Sequence, residues 1–125
     1  MQHLSAPDRE NLSAKLLFKS SEDARGCRLW EGGVKSGYGK VWVNIVTLEG
    51  VSFKKHVRVH RLALFLYHGP FEDLFEKEVS HLCSNKLCIQ VEHLSLEPHC
   101  INIERITCVL YGICNGHMPY RDCII

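Results

Sequence analysis

No stretch of this 125-residue chain approaches the roughly 18 consecutive apolar residues that a membrane span requires, so a membrane protein of helical type is not expected. The first twenty residues carry Asp8, Arg9, Glu10, Lys15 and Lys19 in place of a greasy export segment, and an intracellular protein, cytoplasmic or nuclear, is the expectation. There is no internal repeat and no low-complexity tract, which excludes solenoids and fibrous arrays. Hydrophobic residues at 46% and charged residues at 23% match globular averages, so one folded domain is expected. A basic excess is also missing, because the formal charge is only +1.

That near-neutral total conceals a segregation. Between positions 35 and 61 stand six basic residues (Lys35, Lys40, Lys54, Lys55, Arg58, Arg61) against one acid, Glu49. The window carries +5, and the rest of the chain therefore −4. Such a field can attract phosphate even when the whole molecule is close to neutral; an ordinary solvated lysine face is the competing explanation.

Seven cysteines, at 27, 83, 88, 100, 108, 114 and 123, are many for a chain with no export signal. Disulfides are rare in reducing compartments, and an odd count would strand one thiol, so cysteine mixed with histidine points to metal. Cys83, Cys88 and His93 are separated by four residues each, enough chain to wrap one tetrahedral ion, with Cys27 as the fourth ligand that would tie the loop before the sheet to the loop after it. Cys108, Cys114, His117 and Cys123 form a second set. Zinc there would hold a tail too short for its own core. Cys100 is left over and reads as a small buried residue of the last helix, while His99 is a substitute ligand for either site.

The pattern of elements is α+β. A helix is expected from about Ser5 to Lys19, then a polar loop from Ser20 to Gly26. Two strands follow, in which Tyr38, Lys40, Trp42 and Asn44 alternate with Gly39, Val41, Val43 and Ile45, and Lys54, His56, Arg58 and His60 alternate with Lys55, Val57 and Val59. One face of this hairpin, joined through Thr47 to Val51, is basic and aromatic. A helix over His60 to His68 ends at Gly69-Pro70, and an acidic connector runs from Phe71 to Lys77. Short strands are expected at Glu78 to His81 and Leu94 to Leu96, with a last helix from near Pro98 to about Cys108. Three parts are expected: an N-terminal helix and loop (1–26), a core with the first metal set (27–107) and a metal-binding tail (108–125).

Read in order, Cys27-Arg28-Leu29-Trp30-Glu31-Gly32, Gly37-Tyr38-Gly39-Lys40, Val59-His60-Arg61-Leu62-Ala63, His68-Gly69-Pro70, Ser80-His81-Leu82-Cys83, Cys88, His93-Leu94 and Asn102 resemble the His-Cys box homing endonucleases and the related phage HNH-type endonucleases. The resemblance spans Cys27 to Cys108 and extends more loosely to Cys123. It implies a small zinc-stabilised ββα-metal (His-Me finger) domain with an antiparallel β-sheet and flanking helices. By matching positions it implies His81 as general base, Asn102 as ligand of a catalytic Mg²⁺ or similar divalent cation, and Lys40 near the scissile phosphate, where relatives usually place arginine. Arg61 and Arg105 could also reach phosphate, and His60 packs.

Three departures accompany the match. Ser80 stands where HNH relatives commonly have a second, aspartate metal ligand; Gln90-Val91-Glu92 replaces an Asn-Pro; and the sequence stops at Ile125, which argues against the arm-swapped dimer of homing relatives, although a homodimer stays open. With one protein ligand, cation binding without DNA would be weak.

The reading that follows is a metal-dependent DNA endonuclease with two structural Zn²⁺ and one catalytic Mg²⁺. Double-stranded DNA would lie against Lys40, Trp42, Asn44, Lys54, His56 and Arg58. Two alternatives stand beside it: a catalytically silent zinc-stapled nucleic-acid-binding module, and a zinc adaptor for other proteins.

Overall fold

A computed structural model describes residues 2–3, 6–47, 49–69 and 77–124. The elements in chain order are β1 (Gln2–His3), α1 (Ala6–Phe18), β2 (Ser20–Glu22), β3 (Arg28–Trp30), β4 (Val34–Lys35), β5 (Tyr38–Thr47), β6 (Ser52–Arg58), α2 (Val59–His68), β7 (Glu78–His81), β8 (Leu94–Glu97) and α3 (His99–Tyr111), with a 3₁₀ turn at Val91–His93. The architecture is the expected α+β one, and among the described residues every strand pairing is antiparallel. The acidic connector lies outside the described residues except for Lys77, as does Pro70.

β5 is the spine of the largest sheet, pairing with β1, β4 and β6. Its alternation is resolved by burial: Val41 and Val43 point into the core, while Trp42 and Asn44 face outward. α2 covers the inner face with Val59, Leu62, Ala63 and Leu64, and Leu16 of α1 joins the same core. Gly69, at φ +88°, ends α2 and donates its N–H to the Phe65 carbonyl (2.7 Å).

Trp30 wedges β3 under β5 and donates from Nε1 to the Gly33 carbonyl (2.9 Å). A Cβ at Gly39 would lie 2.6 Å from its ring, and one at Gly32 would collide with it. Glycine on both sides is therefore a packing requirement of the indole, which accounts for the glycines around it in the sequence.

Ser20 to Gly26 is not wholly loop. Ser20–Glu22 pairs with Arg28–Trp30, and Arg28 spans the pair, reaching Ser20 Oγ (3.2 Å) and Glu22 Oε1 (3.3 Å). Three-residue strands leave too little alternation to be read from sequence. β7 and β8 form a separate ribbon, with Glu78 opposite Glu97 and His81 opposite Leu94, and α3 follows directly. This is the ββα unit.

Candidate metal centres and nucleic-acid face

All seven cysteines are free thiols, and six of them fall into two clusters with histidine. In the first, the ligand atoms of Cys27, Cys83, Cys88 and His93 lie within 4.8 Å of one another. Backbone pairing assembles it: Leu29 bridges Cys88, Ile89 N–H donates to the Arg28 carbonyl (2.7 Å), and Trp30 N–H donates to the Leu87 carbonyl (2.9 Å). Asp23 Oδ1 accepts from Cys27 N–H (2.9 Å), fixing the loop that carries the remote ligand. His93 Nδ1 is 3.5 Å from Cys27 Sγ and 3.6 Å from Cys88 Sγ. Zinc bond lengths at tetrahedral angles give sulfur-to-nitrogen edges of about 3.6 Å, so the donor set fits that ion.

The second cluster joins Cys108 of α3 to Cys114, His117 and Cys123, again within 4.8 Å. His117 uses its other nitrogen: Nε2 stands 3.4 Å from both Cys108 Sγ and Cys123 Sγ, while Nδ1 meets Glu104 Oε1 at 3.0 Å. A carboxylate behind a ligating imidazole fixes its tautomer and orientation. Gly112, in the left-handed region at φ +70°, caps α3 and turns the chain back toward Cys114. Each set is three cysteines and one histidine and could hold one zinc.

The thiols are not equivalent. Hydrogen bonding from Cys83 pulls Cys88 down to about 5, and Cys83 is raised in return. In the second cluster the Cys123 N–H draws Cys114 down to about 7, whereas burial pushes Cys123 up to about 11. Each loop thus holds one thiol lowered toward the anion that a cation attracts.

His81 ends β7 beside the first cluster. Its Nε2 lies 3.0 Å from the Cys88 carbonyl, and its ring sits 4.4 Å from that of His60 and 6.0 Å from that of Tyr38. A carbonyl only accepts, so Nε2 carries the proton and Nδ1 keeps its lone pair. Burial, with the Lys86 charge, lowers the imidazole to about 4 despite the carbonyl contact.

Asn102, on the first turn of α3, donates from Nδ2 to Glu78 Oε2 (2.6 Å), and His99 Nδ1 meets Glu78 Oε1 (2.8 Å). Asn102's donor is the largest influence holding the Glu78 carboxyl below its ordinary range. His81 is thus the last residue of β7, whereas Asn102 is held to its first, Glu78.

The hairpin face is ordered by register. Lys40 stands opposite Arg58, Trp42 opposite His56 and Asn44 opposite Lys54. The Trp42 and His56 rings are 3.4 Å apart, and the Arg58 guanidinium lies 4.2 Å over Tyr38. Lys86, carried by the loop between Cys83 and Cys88, approaches the same Tyr38 ring at 5.0 Å.

Three expectations need correction. Cys100 is exposed, because the inward stripe of α3 runs through positions 101, 105 and 108 and Cys100 lies off it. His99 belongs to neither cluster but to Glu78. Arg105 is not available to phosphate: 3% exposed, it forks onto Glu97, which is wholly buried. Glu78, Glu97, Glu104, Tyr38 and Lys86 carry no sequence signal for these roles, since each is defined by a partner in another element or on a later turn.

Over 71 residues the chain is 37% identical to Protein 7.7 of Escherichia phage T7, covering 56% of this chain and 46% of that protein. It thus spans about half the length of the curated relative it matches. No solved structure matches it. Among the described residues no helix is long and apolar enough to cross a membrane. The match that covers residues 30–123, from Trp30 to the last cysteine, decides the assignment: this chain belongs to the family described as the zinc-binding loop region of homing endonuclease.

Proposed function

We propose that the protein is a divalent-cation-dependent DNA endonuclease, hydrolysing phosphodiester bonds with His81 as general base and Asn102 as cation ligand. The single observation that carries this reading is the contact between His81 Nε2 and the Cys88 carbonyl. It commits one nitrogen as donor, leaving Nδ1 to take a proton from water attacking phosphorus. The carbonyl belongs to a residue of the first cluster, so the loop that zinc would clamp also orients the base.

A divalent cation, when bound, supplies charge stabilisation at the attacked phosphate and the departing 3′ oxygen. Asn102 fits such a role by chemistry, as an amide oxygen is a hard donor suited to Mg²⁺. Lys40 and Arg58, opposite one another, would draw the backbone of double-stranded DNA onto the hairpin, with Trp42, Asn44, Lys54 and His56 completing the contact face. Products would carry 5′ phosphates.

Incubation of supercoiled plasmid with purified, zinc-loaded protein and Mg²⁺ tests the proposal. Nicked and linear products are expected from the wild type, with His81→Ala and Asn102→Ala each reducing the rate at least 100-fold. Binding without any cleavage by the wild type would instead identify a silent nucleic-acid-binding module, and neither binding nor cleavage would identify an adaptor.

A further inference from the structure

We propose that Glu78 and His99 complete the cation site with Asn102, so that three protein side chains rather than one hold the divalent ion. The inference rests on the reading of Asn102 given above and extends it to Glu78, which the sequence patterns do not single out, and to His99, which they offer only as a substitute zinc ligand.

The geometry is that of two side chains converging on one carboxylate. Glu78 begins β7, and His99 and Asn102 stand three residues apart at the start of α3, the spacing that puts two side chains on one face of a helix. Each reaches a different oxygen of the same carboxylate: His99 Nδ1 to Oε1 at 2.8 Å, Asn102 Nδ2 to Oε2 at 2.6 Å. Adjacent donors around an octahedral ion with bonds of 2.0–2.1 Å are about 3 Å apart. The two separations are hydrogen-bond lengths that also lie near that spacing, so an ion could replace the two shared protons with little movement of these side chains. Facing a carboxylate, which only accepts, His99 Nδ1 carries its proton and Asn102 presents its nitrogen; moving the imidazole proton to Nε2 and turning the Asn102 amide by half a turn would offer an ion one lone pair from each.

Charge and access agree with this. An amide alone offers a divalent cation no countercharge, whereas the Glu78 carboxylate supplies one at contact range. The Glu78 and His99 side chains are 41% and 68% exposed, which leaves the outer positions open to water and to a phosphate oxygen. Mg²⁺ commonly keeps several such positions for water and substrate. The imidazole adds affinity for Mn²⁺ over purely oxygen-ligated sites.

Mn²⁺ binding, followed by loss of the free-ion electron paramagnetic resonance signal, tests the site without relying on turnover. Zinc-loaded full-length protein is titrated alone and with a short DNA duplex, alongside Glu78→Gln, Glu78→Asp, His99→Ala and Asn102→Ala, with zinc content and circular dichroism as controls of folding. One Mn²⁺ per chain is expected for the wild type. Glu78→Gln should weaken it at least tenfold, His99→Ala several-fold, and Glu78→Asp should retain more affinity than Glu78→Gln. Unchanged Mn²⁺ affinity in a folded Glu78→Gln protein overturns the proposal, as does a wild type that takes up no Mn²⁺ in either condition. If Asn102→Ala abolishes cleavage while Glu78→Gln and His99→Ala bind Mn²⁺ normally, the Asn102 reading stands and this extension alone fails. If Asn102→Ala changes neither cleavage nor Mn²⁺ binding, the underlying reading itself fails.

Discussion

Arg105 holds Glu97 through two parallel contacts, Nε to Oε1 and Nη2 to Oε2, with both side chains removed from solvent. The same guanidinium donates from Nη1 to Cys123 Sγ (3.3 Å) and from Nη2 to the Arg121 carbonyl (2.8 Å). One residue of α3 therefore fastens the C-terminal cluster to the last residue of β8.

Arg105→Met should consequently cost stability and weaken the tail together. Removing one partner of a buried pair leaves an uncompensated charge, at about 3–5 kcal/mol. Denaturant unfolding should show that loss, and elemental analysis should show the second zinc more readily removed by a chelator than in the wild type.

The two clusters should fail differently. Elemental analysis of the wild type should find about two zinc ions per chain. Cys114→Ser should reduce this to about one while leaving the circular dichroism of the sheet in place, because that cluster ties down mainly the tail. Cys88→Ser should also remove one ion but lower the unfolding midpoint strongly, since Cys88 bridges Leu29 and its carbonyl meets His81.

On the hairpin, Lys40→Ala and Arg58→Ala should each weaken DNA binding and lower the slope of log affinity against log salt by about 1. Like charges stand opposite one another in the free protein, so Lys40→Ala should leave thermal stability unchanged or slightly raised, whereas Arg58→Ala also gives up the guanidinium's seat over Tyr38 and should lower it slightly. A fluorescence anisotropy titration at several salt concentrations reads the slope.

His60 makes the fold acid-sensitive. Burial, then the neighbouring His81, lowers its imidazole to about 3, and Nε2 meets the Val79 carbonyl at 3.1 Å. The unfolded chain, with an ordinary value near 6.5, binds the proton more readily across the window from about 6.5 to 3. Stability attributable to this site is therefore full above pH 6.5 and falls as pH drops through that window, by roughly 3 kcal/mol at pH 4. His60→Gln keeps a donor for the Val79 carbonyl but cannot titrate. Its denaturation midpoint should decline less steeply than that of the wild type between pH 7 and pH 4.5, the acid lability of the metal clusters being common to both.

Strict alternation over Tyr38 to Ile45 placed Lys40, Trp42 and Asn44 on one face because successive strand residues point to opposite sides, and the register sets Arg58, His56 and Lys54 across from them. Ligand spacing identified both cysteine-histidine sets, since thiolate and imidazole brought together by short loops have few other uses. β7 matched its expected bounds, Glu78–His81. The short β2–β3 pairing was missed because it rests on the Arg28 contacts and not on hydrophobic period.

Residue type, spacing and period by themselves determined the fold class, the basic ribbon and seven of the eight cluster residues, because each of those is a property of neighbours along the chain; Cys27, 56 residues before Cys83, followed from residue type alone. Tertiary structure alone decided that Arg105 turns inward to Glu97, that Cys100 faces solvent, and that Glu78 meets an asparagine 24 residues away. Those outcomes depend on how α3 is rotated against the β7–β8 ribbon. That rotation follows from which side chains fit the space between them, and no local pattern encodes it.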